Sequence, residues 1–473
     1  MLLLYRKQKR LKWLEAMDMD KPILEEIKKN PRVETGLFDN ALKLAIYPEN
    51  RESLNLGRYF IEKTKEKLEE LIVHAHFEHN DDRSPTRSDV SIRELNDTAT
   101  APGLLSSTLF GNFMPFDACT PFQQLTSLRL HRISLRHCAD TWCKFVDFNK
   151  IKSLRIYHCP AADSLLGQLS KAKNLPKSLQ VLELQHKDNY ENEASVALDG
   201  LLCLISGLTI LTIDLQNVKA LPSIAGIVRH GKTLEQLSVH CSNEALSNPM
   251  LSDMSCDADE HVFETEDFDK ICAATTKLEQ LSCAWPNRSL IRSVSDDWVA
   301  FESSVSKICG LVSLQITTWP SNKPSSSLLP RSVYEQLLQG ASTRLFEMAA
   351  NRTSPEVPES LSMIENPEVS DTQTDSANLL SHSKLRLIAF GISDKIYERE
   401  ESSNQLLYLR SWAFDAEGKS KVYATPVGWC ARRYLEPRSE ILDFVLSRES
   451  RLPCRGERGD MESRFGFNVD DEL

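Results

Sequence analysis

Hydrophobic positions along the chain fall into a short phrase: apolar, two others, apolar, one other, apolar. It occupies Leu125, Leu128 and Leu130, then Ile151, Leu154 and Ile156, then Leu179, Leu182 and Leu184. Two further copies are Leu208, Leu211 and Ile213, and Leu234, Leu237 and Val239. Successive copies start 26, 28, 29 and 26 residues apart. Within each, apolar and polar residues alternate, the period of a strand with one face buried. Weaker copies begin at Leu68, Leu278, Leu311 and Leu385. Between copies the apolar spacing changes to three or four residues, the period of an amphipathic helix. Leu165, Leu166 and Leu169 make one such set; Val196, Leu201, Leu202 and Ile205 a second. Leu221, Ile224, Ile227 and Val228 make a third, and Trp298, Phe301, Val305 and Ile308 a fourth. Strand, helix, strand, helix predicts parallel strands with helices on one side.

A strand-plus-helix unit of this length is the period of a leucine-rich repeat. The fold expected is therefore an α/β leucine-rich-repeat solenoid. Helices are about 10 Å wide and strands about 4.8 Å apart, which puts the strands on a concave face and the helices on a convex one. Irregular insertions interrupt the array. Residues 1–66 are expected to form a mainly helical N-terminal cap or partial repeat, with an early strand where Leu42, Leu44 and Ile46 alternate. Residues 67–320 carry the solenoid, with polar insertions at 79–103 and 247–269. The gap from Leu68 to Leu125 is two repeat lengths, so one degenerate unit is expected inside it. Residues 321–378 read as a helix at 331–352 between disordered Ser-, Pro- and Glu-rich segments. Residues 379–447 read as a last repeat and a strand-containing cap, and 448–473 as a flexible tail.

The ending sharpens this picture. KLRLIAFG (384–391), LLYLRSWAFDAEGKSKVYATPV (406–427) and EPRSEILDFVL (436–446) follow LxxLxL strands broken by polar insertions. Over roughly residues 65–446 the chain resembles the fungal F-box/leucine-rich-repeat proteins. That resemblance implies a protein-recognition role, and in its narrower form a substrate receptor of a ubiquitin ligase. Residues 1–66 contain no helical segment opening on a Leu-Pro phrase, the mark of an F-box. Joining a Skp1-type adaptor would then depend on an F-box encoded upstream of Met1.

Composition narrows the partners. A net charge of −11 argues against a nucleic-acid backbone. The cluster Arg6, Lys7, Lys9, Arg10 and Lys12 reads as a solvated helix face, with a small nuclear-import patch as the alternative. No apolar run approaches the roughly 20 residues of a membrane span, and the start MLLLYRKQKR lacks the order of a secretory signal. The expected location is cytoplasmic or nuclear, with the twelve cysteines as free thiols and no cofactor.

The alternative reading is enzymatic. His74, His76, Glu78 and His79 resemble the HxHxDH motif of the metallo-β-lactamase fold, which would make the chain a zinc-dependent hydrolase. Glu78 stands where that motif has Asp. The segment KLEELIVHAHFE (67–78) is also a copy of TLEQLSVHCSNE (233–244), which favours a repeat. A second cluster, His137, Cys138, Cys143, His158 and Cys159, has spacing that zinc tolerates, although Cys159 falls where the repeat caps a buried turn. No P-loop, GxGxxG or GxSxG phrase occurs. The chain is accordingly expected to be non-enzymatic.

The phrase also assigns a partner-binding face. Its apolar residues point into the core and those between them point outward. The expected face comprises Arg129 and His131, Arg155 and Tyr157, Glu183 and Gln185, Asp214, and His240. Arg129 and Arg155 fall side by side, a like-charged pair suited to a bridging carboxylate or phosphate.

Overall fold

The computed structural model describes residues 12–16, 25, 27–30, 38, 40–48, 51–74, 122–188, 193–243, 259–291, 294–320, 329–352, 384–392, 405–414, 416–417 and 420–427. It is a mixed α/β chain. Open, mostly parallel sheet alternates with helices, in two compact units.

The first unit holds seven described strands in chain order. These are β1 (Trp13–Ala16), β2 (Lys43–Ile46), β3 (Glu70–His74), β4 (Ser127–His131), β5 (Ser153–Tyr157), β6 (Val181–Lys187) and β7 (Ile210–Gln216). Each pairs in parallel with the next. The register superimposes the sequence phrase on itself. Leu44, Leu71, Leu128, Leu154, Leu182 and Leu211 form one row, and Ile46, Val73, Leu130, Ile156, Leu184 and Ile213 another. All twelve are buried. Full burial of one such side chain is worth about 1.5–3 kcal/mol, and a one-residue slip would turn every one of them outward.

A second device repeats at each strand entrance: one carbonyl accepts from two consecutive amides. Lys12 O takes Leu42 and Lys43, Leu42 O takes Glu69 and Glu70, and Glu69 O takes Thr126 and Ser127. Thr126 O takes Lys152 and Ser153, Lys152 O takes Gln180 and Val181, and Gln180 O takes Thr209 and Ile210. The Thr126 and Thr209 hydroxyls add bonds to the same carbonyls.

The connecting helices are α1 (Arg51–Thr64), α2 (Ala139–Phe145), α3 (Ala162–Leu169) and α4 (Glu193–Leu204). Consecutive parallel crossovers of one hand leave the helices on one side of a sheet, and α2, α3 and α4 pack in succession. Leu165, Leu166 and Leu169 are buried as expected, and so are Leu201 and Leu202. Val196 is not: it is 67% exposed, and Leu198 takes the core position instead.

Two expectations change here. β3 pairs directly with β4, Leu71 beside Leu128, so no further unit stands between them in the sheet. The N-terminal segment supplies two strands to the array rather than one.

The second unit continues with β8 (Gln236–Asn243), β10 (Gln280–Cys283), β11 (Ser313–Ile316) and β12 (Leu387–Gly391), again parallel and again in phrase register. Leu237, Leu281, Leu314 and Ile388 form its first buried row, and Val239, Cys283, Ile316 and Phe390 its second. The shared-carbonyl device persists at Glu235, Glu279 and Val312. β13 (Gln405–Phe414) and β14 (Ser420–Pro426) follow as antiparallel strands. The helices are α5 (Ile224–Arg229), α6 (Thr265–Ala274), α7 (Asp296–Ser306) and α8 (Arg331–Arg352).

Aromatic rings fill the helix side of this unit. Phe268 stacks on Phe301 at 4.0 Å, and Trp285 meets Trp298 edge-on at 4.8 Å. Beside them the buried Glu302 carboxylate accepts from the Trp298 indole at 2.9 Å and pairs with Arg344 at 3.0 Å. Gly231 follows α5 where a Cβ would lie 2.6 Å from the Ala274 carbonyl, so only glycine lets these two elements close. The acidic insertion expected at 247–269 contains structure at its end. Asp259–Glu260 form β9, antiparallel to β8, and α6 begins at Thr265.

Candidate functional site

Register decides which side chains share the strand face. Arg129, Arg155, Glu183 and Thr212 are cross-strand neighbours in one row. His131, Tyr157, Gln185 and Asp214 are neighbours in the next position along. The expected juxtaposition of Arg129 with Arg155 is present.

Their environment differs from the open surface expected. His131, Tyr157, Gln185 and Asp214 are each 4–5% exposed, and His240 of the second unit is 3% exposed. Alternation along a strand tells which face a residue takes, but not what covers that face. Part of the cover is the row itself. The His131 ring lies 3.9 Å from that of His74, 6.2 Å from Tyr157 and 5.8 Å from His158. Burial, then the neighbouring Glu183 carboxylate, push the Tyr157 phenol well above its ordinary range, so it acts as a neutral donor.

Glu183 is gripped at both oxygens. Oε1 accepts from Arg155 Nε at 2.8 Å, and Oε2 accepts a short hydrogen bond from the Tyr157 hydroxyl. Burial works against the Arg155 charge. Glu183, together with Tyr157 and Glu70, outweighs it and holds the guanidinium above its ordinary pKa. At Arg129 burial wins and the pKa is lowered. The two arginines are therefore not equivalent: Arg155 is answered within the row, Arg129 is not.

Repeat turns at the strand ends are capped by polar side chains. Asn217, in the left-handed region at φ 62°, donates through Nδ2 to the Asp188 carbonyl at 2.8 Å. The Asp188 carboxylate accepts from the Ala194 amide at 3.1 Å. The Cys159 thiol donates to the Tyr157 carbonyl, and burial pushes its pKa up to about 12. Burial likewise raises Cys143 to about 11. Thiols held protonated are poor metal ligands. Among the described residues no group of three or more His, Cys, Asp or Glu side chains is placed to hold a metal ion. Of the HxHxEH segment, His74 is buried with its ring against His131 and Tyr47. His76, Glu78 and His79 lie outside the described residues.

In the second unit the same row is closed by its own side chains. Glu260 of β9 binds His240 Nε2 at 2.7 Å through one oxygen and accepts from the Thr317 hydroxyl at 2.7 Å through the other. Ser282 donates to Gln315 at 2.8 Å, and Gln315 donates on to the Gly391 carbonyl at 3.0 Å. Sequence reading missed Glu260 because it sits in an acidic run with no phrase of its own. It also left out the Lys43–Glu70 pair, 2.8 Å apart on β2 and β3, although the phrase at Leu68 puts Glu70 in register with Ser127.

No described helix is long and apolar enough to cross a membrane. No protein-family model matches the chain, and no curated protein is significantly similar to it.

Proposed function

We propose that this chain is a non-enzymatic leucine-rich-repeat protein that binds a protein partner along its strand face, the concave side of the array. One observation carries the reading: phrase-bearing strands stack in register, with a polar row of Arg129, Arg155, Glu183 and Thr212 repeated at strand spacing on the face away from the helices. Such a surface offers many weak, evenly spaced contacts and little machinery for bond making. The narrower form, resting on the F-box/leucine-rich-repeat resemblance, is a substrate receptor of a ubiquitin ligase.

A photo-crosslinking residue at the half-buried Thr212, compared with one at the exposed Lys144 of α2, tests the face. Partner adducts are expected from position 212 and not from 144. Adducts from 144 alone would overturn the assignment. Co-purification of a Skp1-type adaptor and a cullin with the full chain would favour the narrower form.

A further inference from the structure

On the strand face of the first unit, Lys43, Arg129 and Arg155 stand near the carboxylates of Glu70 and Glu183. Lys43 pairs with Glu70 at 2.8 Å, and Arg155 pairs with Glu183 at 2.8 Å. Tyr157 occupies the second oxygen of Glu183. Arg129 lies between these pairs, in register with Arg155 on one side and Ile72 on the other. Its guanidinium makes no hydrogen bond or ion pair with any described residue, and its Nε is fully buried. Glu70 and Glu183, the carboxylates whose fields reach it, are both taken.

A half-buried charge with an unused donor costs free energy. A planar guanidinium fork is the group best shaped to recover that cost from an oxyanion bound through two parallel hydrogen bonds. Arg155, one strand away, adds positive potential, with its Nε already committed to Glu183. One arginine standing between two closed ion pairs, in a chain of net charge −11, does not suit a polyphosphate backbone, which is held by many cations at once.

We propose that Arg129 is the anchor for one oxyanion-bearing side chain of the protein partner, a carboxylate or a phosphate, seated in the strand face between the Lys43–Glu70 and Arg155–Glu183 pairs. This rests on the strand-face reading above and specifies what the partner presents there.

The test titrates the full chain at fixed ionic strength with N-acetylglutamate, with blocked phosphoserine and with neutral N-acetylglutamine. The readout is the arginine Nε–Hε resonance that disappears in Arg129→Lys. A saturable shift with at least one oxyanion is expected, roughly tenfold tighter than with the neutral amide, the worth of about one charge-assisted contact. The two anionic probes separate a carboxylate from a phosphate source. No saturable shift with either anion, or equal binding of the amide, would overturn the inference. If Arg129→Lys fails to fold, Arg129→Met supplies the assignment, since it removes the charge altogether. Crosslinking from Thr212 without anion binding at Arg129 would sink this inference alone. Anion binding with adducts only from Lys144 would sink the strand-face reading alone.

Discussion

The two units build the same ladder and finish its polar row differently. In the second, β9 brings Glu260 onto His240 and Thr317, while Ser282 donates to Gln315 and Gln315 to the Gly391 carbonyl. In the first, Glu183 satisfies Arg155 and Tyr157, and Arg129 is left over. A repeat fixes where side chains stand. What distinguishes one stretch of it from another is which charges go unanswered.

The largest expected effect probes the shared ladder. Leu154→Ala in the first unit and Leu281→Ala in the second should each cost about 2–5 kcal/mol in denaturant unfolding, since both side chains are buried in equivalent rows. A much smaller loss at either would show that the two ladders are not equivalent. Gly231→Ala probes the second unit alone. Its Cβ meets the Ala274 carbonyl at 2.6 Å, and about 1–3 kcal/mol of overpacking is expected, read as a lower midpoint at unchanged denaturant slope. Glu260→Gln should cost about 1–2 kcal/mol, because one side chain holds both His240 and Thr317.

Arg129→Met is expected to move the other way. Replacing an unanswered, half-buried charge with an apolar side chain should stabilise the ligand-free chain by about 1 kcal/mol. A loss of stability would mean that the guanidinium is structural and would erase the contrast between the units. The smallest effect is a pH slope. Burial lowers the pKa of His158 and His186 from 6.5 in the folded chain. The unfolded chain then binds the more protons as the pH falls. Their contribution is complete above about pH 6.5 and is lost as the pH falls below it, levelling off under the folded pKa values. His158→Gln and His186→Gln should each flatten this acid limb in unfolding measured from pH 7 to pH 5.

Much of the backbone could be read directly from residues. Wherever the phrase carries large aliphatics, strand, register and buried rows all follow, and so does the adjacency of Arg129 and Arg155. β1 and β2 obey the same phrase, as Leu11, Leu14 and Ala16 and as Ala41, Leu44 and Ile46, with alanine in one apolar slot. Alanine buries so little that the signal falls to the level of chance. β9 has no periodicity to detect, because two residues in an acidic run become a strand only through β8. The covering of His131, Tyr157, Gln185 and Asp214 was not legible either. Period-two alternation specifies a side of the sheet, whereas burial there depends on long-range partners such as the His74 ring.

The direct pairing of β3 with β4 has an evolutionary consequence. Residues 75–121 separate two strands that meet in perfect phrase register, so the sheet is indifferent to how long its crossovers are. Loop-closure entropy rises only by about 0.6 kcal/mol for each doubling of length. Segments at such junctions can be gained, lost or exchanged while the rows of leucine stay aligned. The array is in this sense a rack with interchangeable connectors, whose lengths can change while its rows keep their register.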